Sequence, residues 1–206
     1  MGKWAVIYSS VTGNTEKIAR QIAEAAGEAE LFPLKDAPED LSAYEVVALG
    51  YWLRLGGPDP GMRSYLPRIR RGRVLLFQTH GTQVGSEHSV TAFARAACLL
   101  GEDCEILGTF ACRGKIHPAL IEKRKQAGPE DPHGGPAALE RWKSAATHPD
   151  EQDLQDAADF VAKMKRKLML RQKFLEKKTQ KGLSHEGKNP HAAASFSYGE
   201  QPLHKI

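Results

Sequence analysis

The chain has 206 residues, of which 41% are hydrophobic and 26% are charged, with a formal net charge of +4. This composition is sufficient for a folded core and excludes wholesale disorder, and the length fits one α/β domain of about 150 residues with an appendage. No apolar run approaches the ~20 residues of a membrane-spanning helix, and strand-like residues begin near Lys3, which leaves no room for a secretory signal. We therefore expect a cytoplasmic protein.

The charge is unevenly distributed along the chain. Residues 161–206 contain eleven Lys or Arg and three Asp or Glu, a net charge of +8. Residues 1–160 contain eighteen basic and twenty-two acidic side chains, a net charge of −4. The excess positive charge therefore belongs to the C-terminal region, not to the body of the protein.

The first half of the chain alternates between strand and helix patterns. Short runs that are apolar at every residue predict strands covered on both faces, and apolar positions at helical spacing predict the helices between them. The predicted strands are residues 4–8, a brief one at 31–32, 46–49, 74–77 and 106–110, and the predicted helices are 14–26 and 90–100.

This alternation indicates an α/β fold with a doubly wound parallel sheet, built as a three-layer sandwich with helices on both faces. Ligands of such folds bind at the carboxyl ends of the strands. We therefore expect the functional residues in the loops after strands one, three and four.

The second half of the chain is less regular. Residues 113–149 are rich in Gly, Pro and His and predict an inserted loop region, with a loop at 128–136 and short helices near 118–126 and 137–144. A longer helix begins after Pro149 and continues to about Lys181, and residues 182–206 predict a flexible end. We expect a domain at 1–170 and a basic extension at 171–206.

The three cysteines, Cys98, Cys104 and Cys112, are odd in number and match no zinc spacing. We interpret them as reduced thiols, most of which fill the core, and no metal site is expected. Cys112 adjoins Arg113 and Lys115, which would lower the pKa of its thiol if the site were open.

The loop between the first strand and the first helix has the composition of an anion site. It places hydroxyl donors at a helix N-terminus, where backbone N–H groups and the helix dipole favour a phosphate. Ser10, Thr12 and Thr15 supply the hydroxyls, and Gly13 lets the main chain curl closely around the anion. No Lys follows the glycine and no G-x-G-x-x-G is present, which excludes the usual nucleoside triphosphate and dinucleotide motifs.

The segment Ser10-Val11-Thr12-Gly13-Asn14-Thr15 resembles the FMN-phosphate loop of the flavodoxin family, [ST]-x-T-G-x-T. The resemblance extends over roughly residues 2–112 and 147–168. It implies a flavodoxin-like fold with a five-stranded parallel sheet of order 2-1-3-4-5, and FMN as the cofactor.

The same resemblance implies that two further loops contact the flavin. The loop after strand three would form a wall against the ring, with Trp52 stacked on it, Tyr51 as the substitute, and Gly50 permitting close approach; a core role for Trp52 is the alternative. The residues of this wall are Gly50, Tyr51, Trp52 and Leu53. The loop after strand four would bind the pyrimidine edge through Thr79, His80, Gly81, Thr82 and Gly85.

This fourth-strand loop has no aromatic residue between Thr79 and Ser89, where flavodoxins often place one. Either His80 or His88 would cover the second face of the flavin, or both are ordinary surface histidines. The segment 110–115 is similar to one that borders the flavin side in small flavodoxin-domain proteins. Lys115 would then favour an anionic flavin or attract an acidic substrate, or it is simply solvated.

The predicted loops contain neither a Ser-His-Asp set nor paired carboxylates. We therefore expect an FMN electron carrier that serves a partner redox enzyme. The alternative is an FMN-dependent oxidoreductase, similar to a quinone reductase or a protoporphyrinogen oxidase, with its substrate pocket in 113–149. A third hypothesis is a binding protein that has lost its flavin.

The basic stretch at 163–181 predicts docking on an acidic partner, on RNA or on an anionic membrane surface, or it is a solvated helix end. Few aromatic residues are present for base stacking, so nucleic acid is disfavoured.

Overall fold

The computed structural model describes residues 2–126 and 135–186, with only the backbone at 135–137 and 180–186. The chain divides into two units, Met1–Arg166 and Lys167–Ile206. Most of the predicted 128–136 loop, and the predicted flexible end beyond residue 186, lie outside the described residues.

The described strands are β1 (Trp4–Tyr8), β2 (Ala29–Pro33), β3 (Val46–Arg54), β4 (Gly57–Pro58), β5 (Arg71–His80) and β6 (Asp103–Arg113). The described α-helices are α1 (Asn14–Ala26), α2 (Pro60–Tyr65), α3 (Glu87–Ala97), α4 (Pro118–Gln126), α5 (Gly135–Ala145) and α6 (Glu151–Glu186). Short 3₁₀ turns occupy Leu34–Asp36 and Leu66–Arg68.

The five long strands form one parallel sheet in the order β2-β1-β3-β5-β6. This is the predicted order 2-1-3-4-5, so the flavodoxin-like doubly wound fold is confirmed. The two-residue strand β4, which the sequence pattern did not predict, pairs antiparallel with the end of β3. The carboxyl ends of β1, β3 and β5 consequently meet at one edge of the sheet.

Several strands are longer than the apolar runs that predicted them. In β5 the apolar run covers only the buried middle, whereas the strand begins at the exposed Arg71 and ends at the buried His80. Backbone pairing needs no apolar side chain, so pattern alone detects only the apolar part of a strand and misses the buried polar residues Gln78, Thr79 and His80. Helix α3 likewise begins at Glu87 rather than at residue 90, because its first three residues, Glu87, His88 and Ser89, are polar and carry no apolar signal.

Gly50 is required by packing at the end of β3. A Cβ atom at this position would lie 2.0 Å from Cζ of the fully buried Phe77 on the neighbouring strand β5. The space beside Gly50 is therefore filled by the core. This gives Gly50 a role that differs from the predicted close approach of a flavin ring.

The second unit contains the continuation of α6 from Lys167 to Glu186. Its Leu170, Phe174 and Leu175 side chains are more than half exposed. The helix extends beyond the predicted end near Lys181. In the described residues, no helix is long and apolar enough to cross a membrane.

We predict that Gly50→Ala lowers the free energy of unfolding by about 1–3 kcal/mol, because the added methyl group overlaps the Phe77 ring. Urea denaturation measures the loss. The same substitution in a Phe77→Leu background should cost less, because the overlapping ring is gone. An equal loss in both backgrounds would contradict this account of Gly50.

Candidate cofactor site at the carboxyl edge of the sheet

The loop from Ser9 to Gly13 joins β1 to the N-terminus of α1. The Ser9 amide donates to the Gly50 carbonyl at 2.8 Å, and its hydroxyl donates to Asp59 at 2.9 Å. Gly13, with φ of 82°, is the N-cap, and it provides no side-chain hydrogen bond to the helix. The first-turn N–H groups of α1 therefore lack a side-chain cap, which suits an anionic ligand.

The three predicted hydroxyls of this loop have different environments. The Ser10 Oγ is buried and has no hydrogen-bond partner among the described residues. The Thr12 Oγ1 accepts from the Asn14 amide at 2.9 Å, and the buried Thr15 shares a hydrogen bond of 2.8 Å with Thr79. An unpaired buried hydroxyl is costly, so the Ser10 side chain is the one left for a ligand.

The structure separates the two aromatic residues after β3. Tyr51 is fully buried; its hydroxyl donates to the Ala92 carbonyl, and its ring packs edge-on against Phe93. The half-buried Trp52 instead lines a cavity, and its buried Nε1 has no partner among the described residues. Tyr51 is therefore a core residue and has no surface to offer a flavin ring, whereas Trp52 lies at the cavity and not wholly in the core.

A buried polar network holds the loop after β5. The Nε2 of His80 lies 3.0 Å from the Ser89 hydroxyl, and its Nδ1 lies 3.0 Å from the Thr82 hydroxyl. Gln78 donates to the same Ser89 hydroxyl at 2.9 Å. His80 is therefore not a surface histidine, because both ring nitrogens are engaged and only 6% of the residue is exposed.

These loops surround a cavity of about 1300 Å³, larger than the roughly 300–1,000 Å³ of typical ligand sites. The predicted site residues that line it are Val11, Thr12, Asn14, Trp52, Leu53, Thr79, His80, Gly81 and Thr82. Those that do not line it are Ser10, Gly13, Thr15, Gly50, Tyr51 and Gly85. His88, which is exposed, also lines the cavity.

The inserted region forms a further wall of this cavity. Its residues Lys115, Ile116, His117, Leu120, Lys123, Arg124, Arg141 and Trp142 line the cavity. Of these, sequence reasoning singled out only Lys115. The 113–149 insertion was a signal that something could cover the site, but no periodicity indicated which of its side chains would do so.

Hydrogen bonds attach the insertion to the flavodoxin-like sheet and loops. The Gly114 amide donates to the His80 carbonyl at 3.0 Å, and the Asn14 side chain donates to the Lys115 carbonyl at 2.8 Å. Arg113 donates to the Ser144 hydroxyl at 2.7 Å and to the Arg141 carbonyl at 3.3 Å. These contacts place α5, which carries Trp142, against the cavity.

The cavity is rich in positive charge. Six cationic side chains line it, and Glu87 is the one carboxylate among its described lining residues. The six cations are Arg54, Arg95, Lys115, Lys123, Arg124 and Arg141. Because residues 1–160 carry a net charge of −4, the cations are concentrated at this site and make it attractive to anions.

Cys112 and the group of His148, Asp150 and Asp153 have structural roles in the described residues. Cys112 is 2% exposed, which confirms it as a core residue, whereas Cys98 is exposed. Burial raises the pKa of the Cys112 thiol, with Asp153 and other carboxylates as lesser causes. His148, Asp150 and Asp153 lie close together. The Asp150 and Asp153 carboxylates each accept a hydrogen bond from the other residue's backbone amide, and these two bonds cap the N-terminus of α6. His148 then binds the Asp153 carboxylate at 2.5 Å.

Comparison with known proteins supports the resemblance to flavodoxins that the sequence indicated. A family model described as a flavodoxin domain matches residues 5–162. A relative in Clostridioides difficile strain CD3, called flavodoxin-like domain-containing protein BilS, is 33% identical over 171 residues, which cover 79% of this chain and 96% of the relative. A protein of the same name in Clostridium symbiosum strain WAL-14163 is 28% identical and covers 77% and 94% of the two chains.

Solved structures share the fold at low sequence identity. The flavodoxin of Streptococcus pneumoniae TIGR4 superposes with a TM-score of 0.53 at 11% identity, covering 80% of this chain and 98% of that one. Oxidised flavodoxin 1 from Bacillus cereus gives a TM-score of 0.51 at 15% identity, covering 80% and 97%. At these identities the likeness establishes the architecture alone.

We predict that the stability of the protein falls with decreasing pH partly through His80. Burial, reinforced by the charge of Arg113, lowers the pKa of His80 below its ordinary value of 6.5, although the hydrogen bond to Thr82 opposes the shift. The unfolded chain therefore binds a proton that the folded chain does not, and the free energy of unfolding decreases as pH falls from about 7 to about 5.

Urea denaturation across this pH range tests the prediction. His80→Asn should flatten the pH dependence, whereas His88→Asn, at an exposed position on the same cavity, should leave it unchanged. An unchanged slope in His80→Asn would mean that other groups cause the pH dependence.

Proposed function

This chain belongs to the flavodoxin domain family, and we propose that it binds FMN and carries electrons to a partner redox enzyme. The family match over residues 5–162 indicates a flavin cofactor. The observation that favours FMN in particular is the buried Ser10 hydroxyl without a partner in the described residues, beside the uncapped N-terminus of α1.

The terminal phosphate of FMN fits this loop chemically. Neutral hydroxyl and amide donors, together with the positive end of the α1 dipole, stabilise a phosphate without any lysine. The φ of 82° at Gly13 brings the main chain around the anion, a conformation that a side chain at this position would strain. Asn14 keeps the loop in place through its bonds to Thr12 and Lys115.

The ring of the flavin fits the adjoining wall. Trp52 offers a flat apolar surface and an unsatisfied Nε1 donor, and the loop at Thr79–Thr82 offers peptide groups for the polar edge of the ring. The network of His80 and Ser89 holds this loop in one conformation. A bound FMN supplies the electron-transfer chemistry, and the protein excludes water from one face and sets the exposure of the ring.

An electron carrier needs no acid–base machinery, although the cavity lining does include the exposed titratable side chains Glu87, His88 and His117. His80 contacts two hydroxyls at 3.0 Å, those of Ser89 and Thr82. Ser89 is 2% exposed and its hydroxyl already accepts from Gln78, while Thr82 and His80 belong to one short loop. This arrangement is suited to holding a loop, not to nucleophilic attack. The cavity residues therefore favour electron shuttling over acyl transfer.

A second candidate is an FMN-dependent oxidoreductase that acts on its own small molecule. The cavity volume of about 1300 Å³ and the presence of Trp142 in the inserted wall favour it, because both provide room and apolar surface beyond one flavin. A cytoplasmic location, and an acidic partner for the basic C-terminal region, remain predictions.

We predict that Ser10→Ala weakens FMN binding by about tenfold or more, because a hydrogen bond to a charged phosphate is lost. The free energy of unfolding of the flavin-free protein should not fall, since the hydroxyl has no protein partner to lose. Fluorescence titration with FMN measures the affinity, and Ser64→Ala on α2 is the control.

Riboflavin, which lacks the phosphate, gives the second readout. Its affinity should be the same for the wild type and Ser10→Ala. Unchanged FMN affinity in Ser10→Ala, or an equal loss for riboflavin, would contradict the phosphate assignment.

Carrier and enzyme differ in how the flavin accepts and loses electrons. For a carrier we expect stepwise reduction to accumulate a one-electron stage in the absorbance spectrum, and reoxidation to require a protein acceptor. Rapid turnover with a quinone, in the absence of any partner protein and without a one-electron stage, would favour the oxidoreductase instead.

A further inference from the structure

The opening of the cavity displays apolar side chains to solvent. Three of its apolar lining residues are exposed: Leu55 by 86%, Val11 by 66% and Leu120 by 42%. They belong to separate elements, the β3–β4 turn, the loop before α1, and α4. Exposed apolar side chains that converge on one opening indicate a contact surface, whereas the same number scattered singly would need no explanation.

Leu55 is held in its exposed position at a conformational cost. Its φ is 50°, and it is the one non-glycine residue with positive φ among the described residues. The Arg95 guanidinium donates to the carbonyls of Leu55 and Gly56 at 3.1 and 3.0 Å and fixes the turn. A strained, solvent-exposed leucine contributes little to the core, so its role lies outside the folding of the chain.

Cations from the insertion surround the same opening. Lys115, Lys123 and Arg141 are exposed, and none of them, nor the half-buried Arg124, takes part in an ion pair between described residues. Carboxylates are available on the same helices. Glu122 pairs with Lys125 and Glu140 pairs with Lys143, and neither of these two lysines lines the cavity.

We propose that this opening is the docking surface for the redox partner, and that the partner presents an acidic patch around its own redox centre. The inference rests on the proposed carrier function. Apolar residues surrounded by charge have the composition of a transient protein interface, with the charges steering association. The exposure of Leu55 and Val11 favours a macromolecule, because a small ligand would lie inside the cavity and leave these side chains in water.

The experiment compares two haem proteins of opposite charge as electron acceptors, the acidic cytochrome b5 and the basic cytochrome c. The FMN-loaded full chain is reduced and mixed with each acceptor in a stopped-flow instrument over a range of salt concentrations. We expect faster reduction of cytochrome b5 at low salt, with a rate that falls as salt screens the attraction.

Charge reversal on α4 identifies the residues responsible. Lys123→Glu with Arg124→Glu should slow the reaction with cytochrome b5 by about tenfold and accelerate that with cytochrome c. Arg70→Glu with Arg71→Glu is the matched control, an adjacent pair of exposed cations at the amino end of β5, and it should change either rate by less than about twofold.

Leu55→Asn tests the apolar part of the surface separately. Asparagine tolerates the left-handed conformation better than leucine, so the free energy of unfolding should rise or stay the same. The reaction with cytochrome b5 should nevertheless slow at low and at high salt, because the apolar contact is lost. A residue with a merely structural role would not be expected to slow electron transfer to cytochrome b5 when its substitution leaves the free energy of unfolding unchanged or raises it.

Equal rates for the two acceptors, or a preference for cytochrome c, would overturn the inference. A second outcome would also overturn it. If citrate shifts the flavin absorbance in a saturable way at constant ionic strength, and the two cytochromes react at equal rates, the cations bind a small carboxylate and not a protein. Failure to bind FMN at all would refute the proposed carrier function itself, and absorbance reveals this before any kinetic comparison.

Discussion

The hydrogen bond between Thr15 and Thr79 joins the two parts of the molecule on which the site depends. Thr15 lies in the first turn of α1 and Thr79 near the end of β5, 64 residues apart along the chain, and their hydroxyl oxygens meet at 2.8 Å while both residues are buried. Buried polar groups are tolerated only when they are paired. This pair therefore fixes the N-terminus of α1 relative to the loop after β5.

The same edge of the sheet uses further polar contacts to organise its loops. Asn14 bonds to the Lys115 carbonyl, the Gly114 amide bonds to the His80 carbonyl, and His80 uses both ring nitrogens within its own loop. A satisfied polar network in a low-dielectric environment is rigid and specifies one arrangement. Within that arrangement the Ser10 hydroxyl and the Trp52 Nε1 have no protein partner in the described residues. These two polar groups are thus left unpaired while the groups that support the loops are paired.

The insertion changes the character of the cavity more than its position. The loop at Ser9–Gly13 supplies neutral donors and the end of β3 supplies Arg54, whereas α4 and α5 add three cations and a second tryptophan to the lining. Arg113, at the end of β6, anchors α5 through Ser144 and the Arg141 carbonyl. A flavodoxin-like scaffold with a mildly acidic body thereby carries a basic opening, to which the insertion contributes four of the six lining cations and the scaffold contributes Arg54 and Arg95.

The sequence by itself determined the long strands and the loop that joins the first strand to the first helix, because both depend on local patterns; the phosphate at this loop stays a prediction. Continuous apolar runs indicate strands covered on both faces, and Ser10–Thr15 combines its hydroxyls, its glycine and its helix start within six residues. The order of the long strands followed from the family resemblance and is confirmed.

Only the tertiary structure decided which side chain occupies which space. Gly50 leaves room for the Phe77 ring, and Tyr51 lies in the core while Trp52 lines the cavity. Trp142, 90 residues after Trp52 in the chain, lines the same cavity. Adjacent residues of a strand point to opposite faces, so a one-residue difference separates core from site, and sequence alone does not fix which face is which at a strand end. Long-range contacts such as those of Arg113 leave no periodic trace in the sequence, because they depend on where the chain folds back and not on spacing along it.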